Sequence, residues 1–127
     1  MSNREESFDS LAIEKWLESF FLDPLTSYLD QYTFRIDIYE TEEEYILEAM
    51  LTDFNLSSIK VFLDQSQITI TIEHEDKITS RCVTFPLLVI SQKVQASFSN
   101  GILEIYISKH ETLRKYENRL ITVKHVK

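Results

Sequence analysis

The chain has 127 residues, of which 43% are hydrophobic and 12% aromatic, enough for one buried core and not two. Its net charge of −8 argues against nucleic acid as a partner, because neutralising phosphates takes clustered Lys and Arg. No apolar run reaches the ~20 residues of a membrane-spanning helix, so no membrane partner is expected. The single cysteine, Cys82, can form no internal disulfide and build no metal site alone. In Met1–Glu6 no apolar segment follows a basic one, so no signal peptide is expected and a cytoplasmic location is the default.

Residues 1–7 are polar and expected to lack order. From Phe8 to Leu22 the pattern changes. Ile13, Trp16, Leu17, Phe20 and Phe21 recur at three- and four-residue spacing with Glu14, Lys15, Glu18 and Ser19 between them, which predicts an amphipathic helix. Asp9 or Ser10 would cap it, and Asp23-Pro24 would end it. Such an aromatic stripe either packs on its own domain or binds other copies and unfolded clients through Trp16, Leu17, Phe20 and Phe21. Leu25–Thr33 is expected to be a linker.

From Phe34 the period is two. Phe34, Ile36 and Ile38 alternate with Arg35, Asp37 and Tyr39; after the charged turn Glu40–Glu44, Tyr45, Leu47, Ala49 and Leu51 do the same. Further strands are expected at Ile59–Leu63, Ile68–Ile72, Ile78–Phe85, Lys93–Phe98 and Ile102–Ile107. Between the last two sits Asn100-Gly101, the only glycine in the chain. An Asn-Gly pair between two strand-forming runs predicts a type I′ turn, which needs positive φ at both central residues. Seven short strands at this spacing predict an all-β, antiparallel, immunoglobulin-like sandwich over 34–109, preceded by an N-terminal arm (1–33) and followed by a flexible C-terminal extension (110–127). That extension carries five basic against two acidic residues. It can lie on the acidic body or stay solvated, and the second is the usual behaviour of a charged segment.

Catalysis finds little to work with. His74, His110 and His125 are scattered, without Cys or carboxylate at metal-ligand spacing. Glu73-His74-Glu75-Asp76 is better explained as a solvated acidic turn than as a cation site. Cys82, within a strand, is expected as a buried, inert thiol. There is no glycine-rich phosphate loop, and no enzyme activity, cofactor or metal is expected.

The residues Ala96, Asn100, Gly101, Ile102 and Leu103 resemble the Ala-x-x-x-Asn-Gly-Val-Leu signature of the small heat-shock (Hsp20, α-crystallin) family. Three more segments follow the family's order: Asp37–Ala49, Arg81–Pro86 (similar to Arg-x-Phe-x-Leu-Pro) and Ile121-Thr122-Val123 (similar to Ile-x-Ile/Val). The chain departs from the family at Leu51-Thr52-Asp53, at Val83, and at the short turn Glu73–Lys77, where bacterial and plant members carry an extra strand. The resemblance implies an α-crystallin domain and a dimer-based homo-oligomer, with Arg81 at the dimer interface. With the short Glu73–Lys77 turn, either pairing of two Ile78–Phe85 strands would join the copies or the dimer would be weakened or altered. It also implies that Ile121 and Val123 act as knobs for a groove lined by Val61, Leu63 and Val94 of a neighbouring copy. The function implied is an ATP-independent holdase that captures apolar segments of unfolding clients. The segment Trp16–Pro24 resembles, in addition, the leader of the α-crystallin-type spore coat proteins of Bacillus-like bacteria, which implies the alternative of a self-assembling coat component located with other coat proteins.

Overall fold

Alternation of apolar and polar side chains is carried into the structure almost residue for residue. The computed structural model describes residues 10–126; the polar leader and the candidate cap Asp9 lie outside the described residues. The strands are β1 (Ile36–Glu40), β2 (Glu44–Met50), β3 (Leu56–Asp64), β4 (Gln67–His74), β5 (Lys77–Thr84), β6 (Gln92–Ser99), β7 (Ile102–Thr112), β8 (Arg119–Ile121) and β9 (Val123–His125). They form two sheets, ordered β9-β6-β7-β2-β1 and β5-β4-β3-β8. Every pairing is antiparallel except β9 with β6. Between the sheets lie Ile36, Leu47, Ala49, Val61, Leu63, Ile68, Ile70, Ile72, Leu103, Ile105 and Ile107, all fully buried. Branched side chains suit the pleated surface and lose little freedom there, and burying each contributes about 1.5–3 kcal/mol.

Tight turns set the register. Between β1 and β2, the Thr41 hydroxyl accepts from the Glu43 and Glu44 amides at 3.2 and 3.1 Å, and the Thr41 amide donates to the Glu44 carbonyl. Between β4 and β5 only Glu75 and Asp76 turn the chain, both at positive φ (49° and 62°), so no strand is inserted there. At the β6–β7 tip Asn100 and Gly101 have φ of 53° and 78°, the type I′ geometry. Gly101 meets a second demand as well. Its carbonyl accepts from the Leu51 amide at 2.8 Å, and a Cβ there would stand 2.5 Å from Thr52 Cγ2 and 2.9 Å from Thr52 Cα.

Two segments differ from expectation. Where a linker was expected, residues 24–32 form a second helix. Helix α1 (Ser10–Leu22) ends at Asp23, and α2 (Pro24–Tyr32) begins at once, with Asp23 as its N-cap accepting from the Leu25 amide at 2.9 Å and Pro24 at the first position. Asp-Pro stops one helix and starts the next with equal chemical sense, because proline's missing N–H is no loss in a first turn. The expected solvated, flexible extension also differs. Residues 110–112 continue β7, and 119–125 return as β8 and β9, one in each sheet.

The tip of the β6–β7 hairpin yields a prediction. Gly101→Ala should destabilise by about 1–3 kcal/mol from backbone strain, and Gly101→Val by more because the Thr52 backbone cannot retreat. Thermal unfolding followed by circular dichroism should show a loss on the order of 4 °C for each kcal/mol; an unchanged midpoint would mean that the tip has room for a side chain.

Candidate functional site

The two open sides of the sandwich hold the residues singled out in the sequence. On one side run the edges of β3 and β6. Val61 and Leu63 face inward and are fully buried, while Val94 and Ala96 are nearly so. The tail lies along both edges. Ile121 stands opposite Val61 and Arg119 opposite Leu63, in antiparallel register with β3. After Thr122 the chain crosses to the other sheet, where Val123 stands opposite Ala96 and His125 opposite Phe98 in parallel register with β6. Ile121 and Val123 are half-buried against the core, and Leu120 points out beside Phe62. The five residues expected to make a knob-and-groove contact are therefore brought together, and within one chain. An open cleft of about 450 Å³ runs beside the tail, lined by Gln95, Ser97, Tyr106, Leu120, Thr122 and Lys124 among others.

Arg119 was not singled out in the sequence, yet it makes the most polar contacts of the tail. Its Nη1 donates to the Ile90 carbonyl at 2.9 Å and its Nη2 to the Gln92 carbonyl at 3.0 Å. A longer contact reaches the Glu117 carbonyl at 3.4 Å. Nearby, the Gln65 amide donates to Asn118 Oδ1 at 3.2 Å and the Leu113 amide to the Ser91 carbonyl at 2.9 Å.

The opposite side, between β5 and β1, is closed by α1 and α2. Ile13 is buried, Trp16 stacks on Phe85 with ring centroids 4.8 Å apart, and Leu17 and Phe20 pack on the core. Arg81, which the resemblance places at a dimer interface, is drawn inward within this chain. Its side chain is 1% exposed and pairs with Asp30 of α2. Its Nη1 also donates to the Phe34 carbonyl at 2.8 Å, and the Phe20 ring lies 5.9 Å away. Asp30 in turn accepts from the Ile36 amide at 3.3 Å, so one ion pair ties α2 to both sheets. Cys82, expected buried, is exposed. The cause is strand parity: with Arg81 and Val83 facing in, the residue between them must face out.

The aromatic stripe is thus divided. Trp16, Leu17 and Phe20 face the sandwich, whereas Phe21 (44% exposed) joins Leu22, Leu25, Tyr28 and Tyr32 on the outside. Tyr28 and Tyr32 stack at 4.5 Å, one turn apart on a helix that the period-based reading passed over. The outer edge of β5 is unpaired among the described elements, since β5 pairs only with β4. Ile78 beside it is 70% exposed.

The outer face of the first sheet is acidic. Asp37, Glu48 and Glu104 stand side by side in register across β1, β2 and β7. Partial burial pushes the Glu48 carboxyl up, and the hydrogen bond and charge of Glu104 and the charge of Asp37 push it further. Tyr106 is pushed up to about 12, first by burial and then by Glu104. The histidines have ordinary partners: His74 bonds Thr79 at 2.9 Å and His110 the Glu42 carbonyl at 3.1 Å, while His125 stacks edge-on against Phe98. Among the described residues no group of three or more His, Cys, Asp or Glu is placed to hold a metal ion.

Comparison with known proteins agrees with this geometry. The Hsp20/alpha crystallin family matches residues 37–124, from β1 into β9. Over 108 residues, 85% of this chain and 82% of the other, the chain is 29% identical to Spore coat protein M of Bacillus subtilis (strain 168). Among solved structures, the Del-C4 mutant of hsp14.1 from Sulfolobus solfatataricus P2 superposes with a TM-score of 0.54 at 24% identity, covering 77% of this chain and 96% of that one. A small heat-shock protein from Xylella fastidiosa gives 0.48 at 22% identity, covering 65% and 91%.

Two predictions come from these contacts. Arg81→Met keeps the bulk but leaves the Phe34 carbonyl without its donor, and should cost about 2–4 kcal/mol, somewhat below a fully buried pair because Asp30 can hydrate; denaturant unfolding measures it. The Glu48 carboxyl binds its proton more tightly folded than unfolded. Stability should therefore fall as pH rises from about 4.5, the ordinary carboxylate value, through the raised one. Glu104→Gln should relieve that repulsion at pH 7 by roughly 0.5 kcal/mol at low salt, since the pair is largely solvent-screened, and should give no such gain once Glu48 is protonated and the two carboxyls share a hydrogen bond. Equal effects at pH 4 and pH 7 would overturn the assignment.

Proposed function

The chain belongs to the Hsp20/alpha crystallin family, and on that premise we propose that it is a non-enzymatic, self-associating structural component of a spore coat. The observation that carries this is the extent of the match to Spore coat protein M. It covers 85% of this chain, a longer stretch than the 37–124 matched by the family. The likeness therefore includes sequence outside the sandwich domain.

The geometry supports association along β5. An unpaired edge presents N–H and C=O groups that a second strand can satisfy. The two-residue turn at Glu75-Asp76 leaves nothing to insert into a partner, so two β5 strands meeting antiparallel about a two-fold axis is the mode that fits. Arg81, engaged inside its own chain, does not obstruct that approach. The groove is occupied by the chain's own tail, which suits a building block better than a surface that must rearrange around clients. In the same reading 1–33, 34–109 and 110–127 act as arm, domain and extension, with the described parts of both outer pieces, 10–33 and 110–126, lying on the domain.

A second reading, the ATP-independent holdase, is favoured by one feature. Phe21, Leu22, Leu25, Tyr28 and Tyr32 form an exposed apolar strip, the kind of surface that captures apolar segments. It would place the protein in the cytoplasm rather than the coat.

Light scattering on the wild type should give a mass of two or more copies, and Ile78→Lys, which sets a charge on the free edge, should shift it to the 15.0 kDa of one chain at unchanged circular dichroism. A variant that keeps the wild-type mass would refute edge pairing. Suppression of aggregation of a thermally unfolding enzyme, lost in a Tyr28→Ser, Tyr32→Ser double variant, would move the assignment to the holdase; recovery of the protein in the coat fraction of spores, without such suppression, would secure the coat reading.

A further inference from the structure

We propose that the chain is self-capped. Arg119 acts as the catch that holds Leu120–Val123 in the chain's own β3–β6 groove, so that the groove is closed to the same segment of a second copy until the catch opens.

The seated segment itself shows which sequence the groove fits: Ile121 against Val61 in one sheet and Val123 against Ala96 in the other. Its two apolar side chains are only half-buried, and the strands on either side of Thr122 are three residues each. Such short pairing gives modest affinity by itself. What distinguishes the intramolecular arrangement is the path and the anchor. β7 ends at Thr112, which stands opposite Gln92, and Arg119 begins β8 opposite Leu63. The intervening residues 113–118 are fastened at both ends, through the Leu113 amide to Ser91 and through Asn118 to the Gln65 amide. A connection this short holds the tail near the groove at an effective concentration in the millimolar range. A second copy at micromolar concentration competes poorly with it.

Arg119 then adds what an apolar motif cannot. Its planar fork reaches the Ile90 and Gln92 carbonyls, which lie in the segment that enters β6, while its own backbone belongs to β8 in the opposite sheet. The guanidinium spans the mouth of the groove and fixes the tail's entry with charge-assisted bonds. Lysine, a single point donor, cannot make both bonds in that geometry.

The test uses the full chain. Hydrogen exchange on the wild type should show the backbone amides of 119–126 protected to the same degree at the highest and lowest protein concentrations measured. Protection that fades on dilution would mean that the tail is held by another copy, and would overturn the proposal. Independently, a labelled peptide of residues 117–126 should bind the Arg119→Ala variant at least about 10-fold more tightly than the wild type, with Arg119→Lys between them. That binding should be lost when Ala96→Trp fills the groove in the Arg119→Ala background. Equal binding to wild type and Arg119→Ala would also overturn it. Neither readout depends on β5, so the result stands apart from the outcome for edge pairing.

Discussion

Two sheets packed face to face bury what lies between them but not what lies at their two open sides, and this chain closes both sides with its own ends. The helical pair seals the side between β5 and β1, and the tail seals the side between β3 and β6. In each case an arginine completes the closure. Arg81 reaches the Phe34 carbonyl and Asp30; Arg119 reaches the Ile90 and Gln92 carbonyls. Strand ends and loops leave carbonyls that no ladder satisfies, and a buried unpaired carbonyl is costly. A five-donor fork on a long stem satisfies two such groups at once. Arg81 thus cements the sandwich to its cover rather than presenting its charge at the surface.

Closing the sides this way determines what remains outside. The first sheet's outer face carries the Asp37–Glu48–Glu104 row, and the chain as a whole has a net charge of −8. Like charges on that face oppose stacking of copies through it. The free edge of β5 and the strip from Phe21 to Tyr32 carry no such concentration of charge. Repulsion over one face, with an open edge and apolar side chains on another, would give the proposed association a direction.

The lone glycine illustrates how tightly the domain is drawn together. A type I′ turn alone would accept Asn at either centre with modest strain. It is the approach of Thr52, from the loop after β2, that leaves no space for a Cβ. The Leu51 amide bonded to the Gly101 carbonyl makes the hairpin tip and that loop, Leu51-Thr52-Asp53, one unit.

The sequence by itself determined the seven strands of the domain, because period two over branched side chains has one economical solution, and it determined the Asn100-Gly101 turn, because only that geometry calls for that pair. Four ordered motifs were enough to place the chain in its family. Other features needed the tertiary structure. Strand periodicity marks alternate faces without saying which is inner, so Cys82, expected buried, came out exposed, with Arg81 and Val83 on either side of it facing in. Asp23-Pro24 reads equally as a stop and a start, and the pairing of Asp30 with Arg81, which holds the second helix on the sandwich, appears only once the chain is folded. The tail is the clearest instance. A short strand motif states that it will satisfy a sheet edge, but the N–H and C=O groups of an edge are identical in its own chain and in a neighbour's. The choice between them rests on the length of the connection and on the Arg119 contacts across the groove, and both exist only once the chain is folded.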